Sequence, residues 1–394
     1  MNRCISLAAL LLATAAHAQI GPVTPPPPAP PPPPTNTVPA QPGAQPAAPA
    51  PDISDLPWTP PAVEALRAEA ARLRHLVHAA DAERFLVSVT WLPVVEDGRS
   101  IYIERKDGAT RRVLNKAQYE ALPEAERAAF KEDHYTDYRF YYTRYGTPLA
   151  YCRPLDLVCE HVDKNPLRYR KILDYGYGTI GHLRLLASIG NDVVGVDVDP
   201  RLAALYSDPS DTGVVQGVGM LDVMNDGKLT LLSGHWPGDK AISDAAGGGY
   251  DLIISKNTLK NGYINPEHEV DKRLLVDLGV PQKEFVEKVA QALKPGGLFM
   301  IYNICPAQKP KAEDYIPWAD GRCPFPKEML EKAGLKVLEY NTDDTPAVRE
   351  MARALGWDQQ QEPMDIDHDL FATYTLAQRP PEPAAKPASP ASKP

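Results

Sequence analysis

The sequence predicts an α/β protein built on a mostly parallel sheet covered on both faces, and three observations carry that expectation. Strand-length runs rich in Val, Ile and Leu recur between residues 171 and 377, helix-length amphipathic stretches separate most of them, and glycines 176, 178 and 181 follow the first run. A strand buried on both faces reads as a continuous apolar run rather than an alternation. Strands alternating with helices pack as a parallel sheet between two helical layers.

From the N-terminus, Met1-Asn2-Arg3 gives a short positive end, Ile5–Ala16 is mostly apolar, and Ala16-His17-Ala18 has the A-x-A form of a cleavage site. Residues 1–18 are therefore expected to be a secretory signal peptide cut after Ala18, and the mature protein to be periplasmic or secreted; a misread leader would leave it cytoplasmic. Residues 19–51 are nearly all Pro, Ala, Thr, Gln and Gly, with proline runs at 25–28 and 30–34. Such a segment buries little apolar area and is expected to remain an extended, disordered linker. A second tail of this kind covers 380–394.

The 394 residues carry 43% apolar and 24% charged side chains, a globular composition, and 42 prolines, most of them near the two ends. A net charge of −9 argues against a nucleic-acid substrate, since phosphate binding needs a dense Lys/Arg face. No apolar run is long enough to cross a membrane. Without the leader four cysteines remain, 152, 159, 305 and 323, which permits two disulfides or four free thiols.

Residues 52–150 are expected to form an α+β appendage or cap. Val63, Leu66, Ala70, Leu73 and Val77 recur at helical steps within 61–80. Residues 85–93 (FLVSVTWLP) read as a strand, and IYIERKDGATRRVL as two strands around Asp107-Gly108. Asn115 is a candidate cap for a helical stretch reaching Phe130. The aromatic cluster Tyr135, Tyr138, Phe140, Tyr141, Tyr142, Tyr145 and Tyr151 reads as a packing seam or as a cleft lining.

Residues 151–379 form the predicted main domain. Its strands are RKILDYG, DVVGVDVD, LTLLSG, YDLIISKN, GLFMIYNI, LKVLEY and LFATYTLA, with helices at 179–189, 282–293, 327–333 and 348–355. In such a sheet the ligand lies beyond the carboxyl ends of the strands. The glycine spacing alone suits a dinucleotide. Asp174, two residues before the first glycine, would repel a pyrophosphate but welcome a cationic ligand.

LDYGYGTIG resembles the first motif of class I S-adenosylmethionine-dependent methyltransferases, VVGVDVDP the second, YDLIIS the fourth, and ALKPGGLFMIYN the turn into the fifth strand. The resemblance spans roughly 163–378. It implies a Rossmann-like class I methyltransferase fold, with a mostly parallel seven-stranded sheet whose last strand is antiparallel. It also implies S-adenosylmethionine as cofactor, with Asp174, Gly176, Gly178 and Gly181 at its methionine end and Asp197 on its ribose. Asp199 is the nearby competitor. Ser255 belongs to the same expected set. After LTLLSG this chain has His235 and Trp236 where many members carry an acid, so Trp236 is the candidate to stack on adenine and Asp239 a substitute acid. Lys256, Asn257, Tyr263 and His268 follow the fourth motif, where the family places substrate-facing groups, and are the catalytic candidates.

The expected activity is methyl transfer to an unidentified small-molecule or protein acceptor. No metal is expected in it. One alternative is a catalytically silent envelope protein that keeps the fold as a scaffold. Another is an NAD(P)-dependent oxidoreductase, which must still account for Asp174.

Overall fold

Eight strands make the central sheet of the computed structural model. The structure describes residues 61–382 except 96–97, 107–108, 144–145, 162–166, 169, 218–224, 310 and 360–362. The expected leader, the proline-rich linker, the Asp107-Gly108 turn, Tyr145 and the tail from 383 lie outside the described residues.

The strands are β4 (Lys171–Tyr175), β5 (Asp192–Asp197), β6 (Gly213–Val215), β7 (Gly227–Ser233), β8 (Tyr250–Lys256), β9 (Leu293–Cys305), β10 (Lys336–Asp343) and β11 (Phe371–Gln378). Strands β7, β5, β4, β8 and β9 run parallel, while β11 is antiparallel to β9 and β10 antiparallel to β11. The order across the sheet is β10-β11-β9-β8-β4-β5-β7-β6, and leaving β6 aside this is the class I methyltransferase order with its reversed last strand. The addition is β6, a three-residue edge strand antiparallel to β7, too short to show in the sequence.

Side chains of a strand point alternately to opposite faces, and this alternation divides the core in two. Ile172, Val193, Leu252 and Leu298 join one buried cluster, and their neighbours Leu173, Val194, Ile253 and Phe299 join the other. Helix α7 (Gly181–Ser188) packs on the first face and α11 (Gln282–Ala292) on the second.

The N-terminal elements add to the first face. They are α1 (Pro61–Leu73), α2 (Ala80–Val87), β1 (Arg99–Lys106), β2 (Ala109–Asn115), α3 (Lys116–Glu120), α4 (Glu124–Arg127), β3 (Phe130–Tyr135), α5 (Asp137–Tyr141) and α6 (Cys152–Glu160). Val63, Leu66, Phe85 and Leu86 belong to the same cluster as Ile172 and Leu252. Helix α1 ends at Leu73, followed by a single 3₁₀ turn at Arg74–Leu76.

Residues 85–93 are a correction, because they form the end of α2 and the 3₁₀ turn Ser88–Trp91 rather than a strand. Burial of Asp81, Ala82, Phe85, Leu86 and Val89 follows helical steps, and this outweighs the β-branched content. The stretch expected to be helical from Asn115 to Phe130 is instead two short helices and then β3. Asn115 does cap α3, accepting from Gln118 N at 2.9 Å while Gln118 Oε1 accepts from Asn115 N at 3.0 Å. The three N-terminal strands pair antiparallel in the order β2-β1-β3.

The aromatic cluster is a packing seam. Phe140 meets Tyr206 edge-on at 5.1 Å, Tyr138 stacks on Tyr142 at 4.7 Å, and Thr179 Oγ1 donates to Tyr141 O at 2.8 Å. Glu69 of α1 lies in this seam, and burial pushes its carboxyl up to about 7. An acid whose folded pKa lies above its unfolded value stabilises the fold when protonated; that contribution is full below the unfolded pKa and is lost as pH rises through the folded one. Glu69→Gln is therefore expected to flatten the loss of stability between pH 4.5 and about 7 and to raise the melting temperature at pH 8, measured by thermal unfolding across pH.

A second polar lock joins α6 to the sheet. Arg153 Nη2 lies 2.6 Å from Asp344 Oδ1 and Arg153 Nε 2.9 Å from Asp344 Oδ2, and the Tyr302 hydroxyl donates to Asp344 Oδ2 at 2.8 Å. Asp344 immediately precedes α13 (Thr345–Ala354). All four cysteines of the described residues are free, so the permitted disulfides are not formed. Among the described residues no helix is long and apolar enough to cross a membrane.

Candidate functional site

The glycine loop leaves β4 at the middle of the sheet, and strand alternation decides where its acid points. Asp174 lies on the same face as Ile172, the face that α7 covers, and is fully buried. His182, in the first turn of α7, meets it with Nε2 at 2.6 Å from Asp174 Oδ2. A carboxylate only accepts, so Nε2 carries the proton. Asp174 Oδ1 and His182 Nδ1 have no hydrogen-bond partner among the described residues. Burial lowers the His182 pKa against the opposing effect of Asp174, which keeps the ring neutral.

Tyr151 closes this pocket from the N-terminal side. Its ring stacks on His182 at 3.8 Å with the planes 9° apart, and burial, then the Asp174 charge and the hydroxyl's own hydrogen bond with that carboxylate, hold the hydroxyl well above the ordinary range. Lys256, the last residue of β8, places Nζ 5.5 Å from the centre of the Tyr151 ring. Burial and then the neighbouring Lys260 charge lower Lys256 to about 8, with Asp174 and Cys152 opposing. Asp174, His182 and Tyr151 thus form a buried polar cluster, with Lys256 half-buried at its edge.

Asp197 closes β5 on the neighbouring strand. Its Oδ2 accepts from Gly178 N at 3.1 Å and its Oδ1 from Asp199 N at 2.9 Å, so each oxygen keeps a lone pair for a ligand hydroxyl. Burial, the largest cause, pushes its carboxyl up to about 6. Asp199 is the N-cap of α8 (Pro200–Leu205), accepting from Arg201 N at 2.9 Å, and is ion-paired with the Arg201 guanidinium at 2.6 Å. That distinguishes the two acids: Asp199 is held by its own helix and Asp197 faces the loop.

Gly176 needs its missing side chain. Its φ is 76°, and a Cβ there would come within 2.2 Å of Thr258 Oγ1, which donates to Gly176 O at 3.2 Å. Thr258 therefore fills the side of Gly176 on which a Cβ would stand. Gly178, at φ 61°, is open except for Thr143 at 3.8 Å from an added Cβ. Gly181 serves packing instead: a Cβ would meet Tyr141 O at 2.8 Å, so its small size lets α7 approach the aromatic seam.

Other expected residues sit apart from the cluster or are held by the fold. Ser255 is fully buried and donates to Tyr175 O at 3.0 Å, tying β8 to β4 beneath the loop. Trp236 is 2% exposed, its ring packed against Tyr175 and Phe285, so it presents no free face for adenine. Asp239 accepts from His235 N at 2.8 Å and shapes the turn after β7. Asn257 adopts φ 66°, and its Oδ1 accepts from Ile304 N at 2.7 Å, so its amide extends the β8–β9 pairing. Tyr263 is buried, with Lys260 Nζ 6.0 Å from its ring centre. His268 lies on the surface, edge-on to Tyr315 at 5.1 Å.

Sequence reasoning missed His182 and the part played by Tyr151. A histidine directly after the last glycine of the loop was the available signal for the former. It also missed Lys260, a fully buried lysine that donates to Ile304 O at 2.6 Å and Trp318 O at 3.1 Å and so holds the 303–325 insert to β9. One group outside the site, His78, Asp156 and Glu160, has donor atoms close enough to hold a metal. Asp156 there already accepts from the backbone N–H groups of His78 at 2.9 Å and Ala79 at 2.7 Å.

Comparison with protein families and with curated proteins gives no match. Among solved structures, the chain is similar to the [4+2]-cyclase SpnF, with 16% identity over 58% of this chain and 80% of that one and a TM-score of 0.35. It is also similar to the arsenic(III) S-adenosylmethionine methyltransferase CrArsM of Chlamydomonas reinhardtii, with 15% identity over 57% and 68% and a TM-score of 0.31. An S-adenosylmethionine-dependent methyltransferase of Mesorhizobium loti gives 16% identity over 55% and 94% and a TM-score of 0.31. The strand order, independently of these likenesses, defines a class I methyltransferase fold.

Proposed function

We propose that the protein is an S-adenosylmethionine-dependent methyltransferase in which Lys256 removes the acceptor proton. The observation that carries this reading is the pair of acids at the glycine loop: buried Asp174, whose Oδ1 makes no hydrogen bond of ordinary geometry although the Tyr151 hydroxyl stands beside the carboxylate, and Asp197, whose oxygens each keep a free lone pair. A buried carboxylate oxygen without a donor is destabilising, and a ligand ammonium would satisfy it.

Asp174 would hold the ammonium of the cofactor's methionine end, with His182 fixing the carboxylate, and Asp197 would accept from the ribose hydroxyls. When bound, the cofactor supplies an electrophilic methyl group on sulfur. The protein's task is then alignment and proton removal, since in-line displacement gains most from positioning. Lys256 at about pKa 8 has a neutral fraction near neutral pH that can take a proton from a hydroxyl or amine. Asp174, His182 and Tyr151 are all buried, and this water-poor setting strengthens the charges there. Thr258 must turn away from Gly176 for the ligand to seat.

The acceptor is proposed to be a small molecule or a protein. The mature chain is proposed to begin at Gln19 beyond the membrane, which N-terminal sequencing of secreted material checks. Calorimetric titration with S-adenosylmethionine tests the binding site itself. Asp197→Ala is expected to weaken that binding by about 1–3 kcal/mol through the lost charged hydrogen bonds. Wild-type affinity should also fall as pH drops through about 6, where the Asp197 carboxyl protonates. Unchanged affinity in the variant would remove Asp197 from the site.

A second reading, a silent scaffold on the same fold, is favoured by Thr258 over Gly176 and by the burial of Trp236. It predicts no binding heat at any pH.

A further inference from the structure

We propose that the groove beside Trp91 is the docking site for the chain's own proline-rich segment, residues 25–34. The groove is a cavity of about 300 Å³ whose lining includes Trp91, Leu92, Pro93, Arg184, Val215 and Gln216. Its lining includes Arg184 of α7 but none of the acids assigned to the cofactor, so the inference stands independently of the methyltransferase reading.

Exposed Trp91 lines this groove, Val94 follows the lining residue Pro93 in the chain, and Val214 precedes the lining residue Val215 on the other face of β6. Trp91 is 45% exposed, Val94 42% and Val214 76%, and these are three of the six large hydrophobic residues exposed among those described. Val214 and Val215 belong to β6, the edge strand, whose outer side carries no further strand in the sheet order. Grouped exposure of this kind marks a surface that binds something.

The chemistry of the groove fits a polyproline helix. Such a helix presents ring faces and free carbonyl oxygens with no internal hydrogen bonds, and it docks on aromatic-lined grooves at low entropic cost. Trp91 and Pro93 supply flat apolar surface. Arg184 uses Nη1 on Ser210 O at 2.9 Å and Asp211 O at 3.1 Å, while its Nε has no acceptor among the described residues. A prolyl carbonyl is the acceptor that would complete it. Residues 21–51 contain no charged side chain, so the contact would rest on ring packing and hydrogen bonds rather than ion pairs.

The chain's own segment is the occupant best placed to reach. The described chain begins at Pro61, the first residue of α1, and Arg67 Nη2 donates to Thr90 O at 2.9 Å, so α1 rests on the turn that carries Trp91. Six residues of helix separate Pro61 from Arg67, a rise of about 9 Å. The intervening residues 35–60 reach about 80 Å at the polyproline rise per residue, enough chain to bring 25–34 back to the groove. Tethering makes the docking intramolecular, so weak contacts suffice.

The test uses the full chain carrying Pro31→p-benzoylphenylalanine, irradiated and mapped by mass spectrometry, with isotopically light and heavy copies mixed to separate contacts within one chain from contacts between two. The expected result is a crosslink within one chain to residues 88–94 or 213–216, unaffected by salt. Adding Trp91→Ala should reduce its yield severalfold, while Trp91→Tyr should retain it. Trp91 is half exposed, so the fold survives these changes, which circular dichroism checks; a free peptide of residues 24–35 should compete the crosslink in the otherwise native chain. No crosslink, a crosslink to another part of the surface, or one formed only between light and heavy copies would overturn the proposal.

Discussion

Replacing Lys256 with methionine is expected to lower kcat by about 10²–10⁴-fold, the usual contribution of a positioned general base, while leaving S-adenosylmethionine binding close to wild type. The pH dependence separates this from a structural effect. Lys256 acts as a base only when neutral, so the wild-type rate should climb with pH and level off above about 8. In Lys256→Met that limb should vanish. Formation of S-adenosylhomocysteine across pH, with any acceptor the wild-type protein methylates, is the readout. A variant that keeps both the wild-type rate and the rising limb would exclude Lys256 from the chemistry.

Arg153→Met is expected to destabilise the fold by about 3 kcal/mol, the lower end of the range for breaking a buried ion pair. The reason is the carboxylate left behind: Asp344 is buried, and the Tyr302 hydroxyl alone would not compensate its charge. Removing both charges in Arg153→Met with Asp344→Leu should recover part of the loss, because no buried charge then lacks a partner. Denaturant midpoints at constant slope measure both. A single variant as stable as wild type would show that the pair does not hold α6 to the sheet.

How much was legible in the sequence follows from where each signal resides. The central strands were readable because a strand buried on both faces has to be apolar throughout, as at Ile172-Leu173 and Leu252–Ile254. Asp174 and Asp197 were readable because strand-end acids next to glycines have a fixed spacing. β3 was missed because FKEDHY is almost wholly polar and largely exposed. The end of α2 was misread because Val87, Val89 and Thr90 are β-branched, although the burial of Phe85, Leu86 and Val89 follows helical steps. The cluster of Tyr151, Asp174, His182 and Lys256 could not be assembled from sequence, since its members come from four elements that only the packed sheet brings together. Trp236 shows the converse: a ring at the expected position was taken by the core through Tyr175 and Phe285.

The most direct measurement is a crystal structure of the protein with S-adenosylhomocysteine. The expected density places the ligand ammonium within hydrogen-bond distance of Asp174 Oδ1 and the ribose hydroxyls on Asp197, with Thr258 turned from Gly176. Crystals soaked at saturating ligand that still show Thr258 against Gly176, or a ligand bound away from both acids, would contradict it.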